Sequence, residues 1–293
     1  MKKGKQLTLT AAILLLTGIM AVGQESNVLD GIYIKEHTPS RKPISYASNG
    51  PYGSSLIREA NVMWLRRIWR HIDLREKINH PLYYPVDPIA DRKSLFDLIK
   101  TSVMDEGTIT PYDPGALGNN DEFTVKMTLD DVKALLFTAD TVYTEDLDGN
   151  MVQELTTIEL KTENVKKFEV KEEWFFDRER SVMDVRIIGL CPMKSVTDEV
   201  SGDFRGYSPI FWVYFPEARY IFATHTVFNP NNDAERRSFE DIFWKRQFGS
   251  YITKRSNVYD RGINEYKSGL DALLEAEKIK NELFVMEHDL WHY

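Results

Sequence analysis

Phe168-Glu169-Val170-Lys171-Glu172-Glu173-Trp174-Phe175-Phe176, then Asp177-Arg178-Glu179-Arg180-Ser181, then the run Val182 to Leu190: this stretch decides the fold. Phe168 to Lys171 alternates apolar and charged residues, the two-residue period of a strand whose faces differ. Five charged and polar residues form a turn, and the chain returns through Val185, Ile187 and Ile188, a run that predicts burial on both faces near its end. Two long strands joined by a tight turn predict an antiparallel pair inside a larger sheet.

Working outward, Val142-Tyr143-Thr144 and the run from Met151 flank Glu145-Asp146-Leu147-Asp148-Gly149-Asn150, a hairpin turn signal. Asp146, Asp148 and Gly149 faintly resemble a calcium loop, but the glycine position and the missing distant glutamate do not fit one. Ile210 to Phe215 reads as a further apolar strand, and Pro216 suits the first turn of a following helix with Tyr220, Ile221 and Phe222.

Helices are expected on both sides of this sheet. Val62, Leu65, Ile68, Trp69 and Ile72 recur at three- and four-residue steps, which predicts a helix from about Ser55 to Asp73 with Arg58, Arg66, Arg67 and Arg70 mostly off its apolar face. Pro81 and Pro85 are expected to stop helical structure. A second helix is expected after an Asp91 cap, carrying Leu95, Phe96, Ile99 and Val103 and ended by Gly107. Thr128 and Asp131 form a capping pair for a short helix, and Ser238 caps one carrying Phe239, Ile242, Phe243 and Phe248. A final helix from about Ser268 to about Met286 carries Leu270, Leu273, Leu274, Ile279, Leu283 and Phe284 as its apolar stripe. The fold class is therefore α+β: a mostly antiparallel central sheet flanked by N-terminal and C-terminal helices.

The N-terminus has another character. Lys2, Lys3 and Lys5 precede an apolar run from Leu7 to Val22, and Ala21-Val22-Gly23 are small residues of the type a signal peptidase reads. This predicts a secretory signal peptide over residues 1–23, cleaved between Gly23 and Gln24. At about 16 residues with three threonines the run is short for a spanning helix, and no cysteine follows it to carry a lipid. Residues 24–55 are rich in Pro, Gly, Ser and Asn, which predicts an extended arm, with Leu29, Ile32 and Ile34 as anchors if it lies on a neighbouring subunit. Residues 56–293 are read as a single α+β domain.

Charge and chemistry narrow the function. Without Lys2, Lys3 and Lys5 the chain has 34 basic against 45 acidic residues, a formal net charge of −11, which disfavours nucleic acid. Cys191 is the only cysteine and reads as a small buried side chain, with a bridge to another chain as the alternative. His288 and His292 have metal-ligand spacing, but Asp289 stands where a zinc protease has glutamate, so no metal and no cofactor is expected. Glu172-Glu173 make a poor acid/base pair because neighbours on a strand face opposite ways. Nucleophile elbows and phosphate loops do not occur. Trp64, Trp69, Trp174, Trp212, Trp244 and Trp291, with arginines beside several of them, are the residue types enriched at protein–protein hot spots.

Several long strings resemble the gliding-motility protein family GldN, also called PorN, of the type IX secretion system of Bacteroidetes. They are Trp69-Arg70-His71-Ile72-Asp73-Leu74-Arg75-Glu76-Lys77 with Asn79-His80-Pro81-Leu82-Tyr83-Tyr84-Pro85; Glu173-Trp174-Phe175-Phe176-Asp177; Val185-Arg186-Ile187-Ile188-Gly189; and Trp212-Val213-Tyr214-Phe215-Pro216-Glu217-Ala218-Arg219. Phe243-Trp244-Lys245-Arg246-Gln247-Phe248, Ser256-Asn257-Val258-Tyr259-Asp260 and Glu287-His288-Asp289-Leu290-Trp291 complete the match. The resemblance implies a non-catalytic periplasmic subunit that joins an outer-membrane lipoprotein (GldK/PorK-like) in a ring, self-associates there, contacts an inner-membrane motor subunit (GldM/PorM-like) and does not itself enter the membrane. Arg66, Arg67, Arg70 and Trp291, with the arm residues Leu29, Ile32 and Ile34, are the candidate interface. A periplasmic hydrolase of unknown substrate is the alternative, which would need a pocket with convergent polar groups.

Overall fold

A computed structural model describes residues 62–290, apart from 90–91, 117, 146–150, 199–201, 228 and 230–236; side chains within 138–157 are likewise outside the description. The signal-peptide and arm expectations, the turn at 146–150, and Trp291 and His292 lie outside the described residues.

The predicted first helix is a strand. β1 (Val62–Asp73) is extended throughout and pairs antiparallel with β5 (Val165–Asp177) from Val62 to Asp73. Its apolar spacing imitated a helix because buried charges break the alternation. Ile68, Arg70 and Ile72 share one face while Arg67, Trp69 and His71 share the other, and Arg67 to Arg70 are all buried. The β-branched and tryptophan content was the strand signal that the spacing obscured.

β6 (Val182–Thr197) returns beside β5, as the opening stretch predicted. Burial on both faces runs from Arg186 to Met193. Lys171 pairs with Gly189 and Glu172 with Ile187, so Ile188 is an extra residue on β6. The bulge turns Ile188 and Gly189 to the same side, toward the aromatic residues Phe123 and Trp212, while Ile187 before them and Leu190 after them pack on the other face. The sheet order is β11-β1-β5-β6-β8-β2, with β7 (Phe204–Pro209) also on β6; β2 is Pro111–Tyr112, β8 Trp212–Tyr214 and β11 Tyr251–Arg255. Every pairing is antiparallel. β3 (Phe137–Glu145) and β4 (Met151–Glu159) form the separate predicted hairpin.

Among the described residues, seven α-helices surround the sheet. α1 (His80–Tyr83) is a single turn with Pro81 at its start, so that proline opens a helix rather than stopping one. α2 (Leu95–Met104) is capped by Ser94 and not by the expected Asp91, because the Ser94 hydroxyl is the one that accepts the Asp97 amide, at 3.1 Å. α3 (Leu129–Leu136) has the predicted Thr128–Asp131 capping box. α4 (Phe215–Thr224) starts at Pro216 as read, and the preceding strand is correspondingly shorter than Ile210–Phe215. β9 (Thr226–Val227) and β10 (Arg237–Ser238) pair before α5 (Phe239–Trp244), which Ser238 caps. α6 (Ile263–Tyr266) precedes the long α7 (Gly269–Asp289).

Three cores result. The largest packs α2, α3, α4 and α5 on one face of the sheet through Phe96, Phe168, Phe211 and Phe222. An aromatic core of Tyr112, Phe123, Trp212 and Tyr214 lies around Trp69 and Cys191. A third joins Ile68 and Ile252 to Ile263, Ala272, Ala276, Ile279 and Leu283 of the two last helices.

Candidate interaction surface

The centre of the sheet is a charged frame. Glu172 is fully buried on the face it shares with Ile68 and Arg70, and accepts three hydrogen bonds: Arg70 Nε at 3.1 Å, Arg246 Nη2 at 2.9 Å and Trp174 Nε1 at 3.1 Å. Both guanidinium groups lie near the Trp174 ring, at 5.7 and 5.6 Å from its centroid. Arg246 reaches this position from a left-handed backbone conformation, φ 52°, just beyond α5. It thereby ties the helical layer to the sheet.

The opposite face carries a second set. Arg67 Nε donates to Glu173 Oε1 at 2.7 Å, while Arg67 Nη2 and Glu173 Oε2 are buried without a hydrogen bond among the described residues. Burial pushes the Glu173 carboxyl up to about 7, partly offset by Arg67. Lys171 is 2% exposed and donates to the Asp121 carbonyl at 2.7 Å, with the Asp121 carboxylate at 3.2 Å; Trp69 Nε1 donates to that carboxylate at 2.5 Å. Glu169 and His71 face each other at 3.9 Å. Burial raises Glu169 to about 7 and lowers His71 to about 4, so both tend toward the neutral form and the contact is not a strong ion pair.

Adjacent Glu172 and Glu173 thus bond different partners on different faces, as strand alternation requires. Cys191 is fully buried and its thiol is pushed well up by burial, so an intermolecular bridge would require opening the core. Among the described residues no group of His, Cys, Asp and Glu is placed to hold a metal ion, and no helix is long and apolar enough to cross a membrane. A cleft of about 180 Å³ lies between β6 and α5. Its two carboxylates are held by arginines: Glu240 by Arg219, and Asp184 by Arg180 at 2.9 Å and Arg186 at 3.5 Å.

These contacts relocate the candidate interface residues. Arg67 and Arg70 are 8% exposed and bonded to the sheet. Arg66 is partly exposed, with its guanidinium 5.8 Å from the Trp64 ring. Leu29, Ile32, Ile34 and Trp291 fall outside the described residues.

Exposed apolar residues are scattered over the described surface, and two elements carry adjacent ones. One is the turn after β11. Asn257 Nδ2 donates to the Arg255 and Arg261 carbonyls, both at 2.8 Å, and its Oδ1 accepts the Tyr259 and Arg261 amides, both at 3.1 Å. The turn so held presents Val258, 96% exposed, and Tyr259, 73% exposed. The other support is α7. Ala272, Ala276, Ile279 and Leu283 face the sheet, while Leu270, Leu273, Leu274 and Phe284 of the predicted apolar stripe are exposed. That stripe is two faces, not one: Ile279 and Leu283 pack with Ala272 and Ala276 on Ile68 and Ile252, and the other four point away. Sequence reading missed this division; the alanines at 272 and 276, in step with Ile279 and Leu283, were its signal.

A comparison with curated proteins finds no match. The family model described as "Gliding motility associated protein GldN" matches residues 57–292, which includes both supports and the whole described sheet. The chain belongs to the GldN family of gliding motility associated proteins.

Proposed function

We propose that this chain is a non-catalytic periplasmic structural subunit of the type IX secretion and gliding machinery. It assembles with a GldK/PorK-like outer-membrane lipoprotein into a ring and meets a GldM/PorM-like motor subunit. Family membership supports the setting. The observation that carries the structural role is the Asn257 turn, whose four side-chain hydrogen bonds to its backbone order a loop that presents the exposed Val258 and Tyr259. An apolar contact that is already ordered loses little conformational entropy on binding.

The experiment is a Val258→Asp/Tyr259→Asp double variant expressed in the native cell. Protein levels should stay near normal, because neither side chain is in a core, while recovery with the lipoprotein should fall at least about tenfold, as loss of a hot-spot pair does. Unchanged recovery removes this turn from the contact. Normal gliding and normal export in cells lacking the whole protein would overturn the functional reading.

A further inference from the structure

The cleft between β6 and α5 is built from unlike parts. Its floor is apolar: Ile187, Phe215 and Phe243 are buried, and the half-buried Val185 lies beside them. The two phenylalanine rings meet edge to face, 5.3 Å between centroids. Its walls are cationic. Arg219 and Arg246 line it, and Trp244, 60% exposed, stands at its mouth with the Arg219 guanidinium 5.1 Å from its ring centroid.

Size and charge narrow the occupant. At about 180 Å³ the cleft is smaller than the roughly 300 Å³ at which pockets for cofactors and drug-sized molecules begin. It is close to the roughly 150 Å³ that holds a benzene ring among apolar side chains. The space therefore suits one aromatic side chain, presented by a larger chain that stays outside. The ion pairs that line and adjoin the cleft bring five cations, Arg70, Arg180, Arg186, Arg219 and Arg246, against four carboxylates, Glu172, Asp177, Asp184 and Glu240. Lys245 and Asp241 pair and cancel. The local surplus is positive although the whole chain has a formal net charge of −8. Burial pushes the Glu240 carboxyl up to about 7, which adds to that surplus near neutral pH. Arg246 gives one guanidinium N–H to Glu172, which it shares with Arg70. Its other guanidinium N–H groups make no hydrogen bond among the described residues, and its side chain is 32% exposed. It has donors left for a second carboxylate.

We infer that this cleft recognises an acidic peptide segment of another protein: one aromatic side chain of the segment enters the apolar floor, and a neighbouring carboxylate bonds Arg246. Trp244 closes over the ring from the solvent side. Tryptophan and arginine around a desolvated pocket are the residue types that carry binding energy, and the positive walls select an acidic partner over a basic one. The inference uses neither the Val258–Tyr259 turn nor the secretion-machinery reading, and its failure leaves both standing.

The test titrates the mature full-length protein, labelled with ¹⁵N, with the peptide Ac-Asp-Phe-Asp-amide. The tryptophan indole N–H signals are followed by NMR, that of Trp244 being identified by its loss in Trp244→Phe. The Trp244 signal should shift and saturate. Ac-Lys-Phe-Lys-amide and Ac-Asp-Ala-Asp-amide should bind at least about tenfold more weakly. Val185→Phe, which fills the floor, should weaken binding of the acidic peptide at least about tenfold. Trp244→Ala, at an exposed position, should do the same with an unchanged melting temperature, read at the Trp174 indole, whose ring lies 5.6 Å from Arg246. Absence of a saturable shift overturns the site. So does equal binding of the basic peptide, or undiminished binding by either variant with its fold intact. Phenylacetate bound as tightly as the peptide would make this a small-molecule pocket and overturn the peptide assignment. A parent protein that is dimeric in light scattering and becomes monomeric with Val185→Phe would place a second copy in the cleft and overturn it as well.

Discussion

Glu172 is where the sheet and the helical layer are joined. It is fully buried, and two arginines and a tryptophan donate to it. Glu172→Ala leaves the buried Arg70 without its carboxylate and takes a partner from the half-buried Arg246, so it should cost about 3–5 kcal/mol of unfolding free energy, measured by urea titration. Glu169 illustrates the opposite sign. Its folded pKa, about 7, lies above the ordinary carboxylate value of 4.5, so the folded state holds a proton that the unfolded state has released between those values. Its contribution to stability is full below pH 4.5 and is lost as pH rises to about 7. His71, lowered to about 4, opposes this between about pH 4 and its ordinary 6.5, where the unfolded chain holds the extra proton. Glu169→Gln removes the first effect only. It should raise stability at pH 8 by about 1–3 kcal/mol relative to the parent and by much less at pH 5; equal effects at both values would show that Glu169 titrates normally.

At the scale of elements, β6 depends on a residue that has no side chain. A Cβ on Gly189 would collide with the Phe123 ring, whose Cε1 would lie 2.9 Å away, and would press on Trp212 at 3.1 Å. Both rings are packed in the aromatic core and neither is the free end of a flexible chain. Gly189→Ala should therefore destabilise by about 1–3 kcal/mol through overpacking, read as a lower melting temperature. The bulge beside it is what puts Ile188 and Gly189 together on the aromatic side of the sheet. The helices are simpler. α3 and α5 each begin with a Ser or Thr whose hydroxyl accepts the amide three residues on, and both starts were readable from that chemistry.

Across the whole molecule, stability should fall away from the middle of the sheet. β5 has strand neighbours on both sides along its length and fully buried residues on both faces, whereas α7 meets the body through two alanines, Ile279 and Leu283, with ion pairs from Glu282 to Arg255 and from Glu275 to Lys267 at the edges. In native-state hydrogen exchange the amides around Phe168 to Val170 and Leu190 should open only with global unfolding, and those of α7 at least about tenfold faster. Equal protection in both would mean that the last helix is an integral part of the core.

The sequence alone determined the α+β class, the β5–β6 pair, most helix starts and the family, because these depend on local periodicity, turn chemistry and caps that act over a few residues. Tertiary structure decided what Val62–Asp73 becomes. Its arginines looked like the solvated side of a helix, but Glu172 and Glu173, more than a hundred residues away, neutralise two of them inside a sheet. It also decided which half of the apolar residues on the last helix is covered, since Ala272, Ala276, Ile279 and Leu283 are the ones that meet Ile68 and Ile252 of the sheet. Both outcomes turn on which distant side chain arrives alongside, and no short-range pattern carries that information.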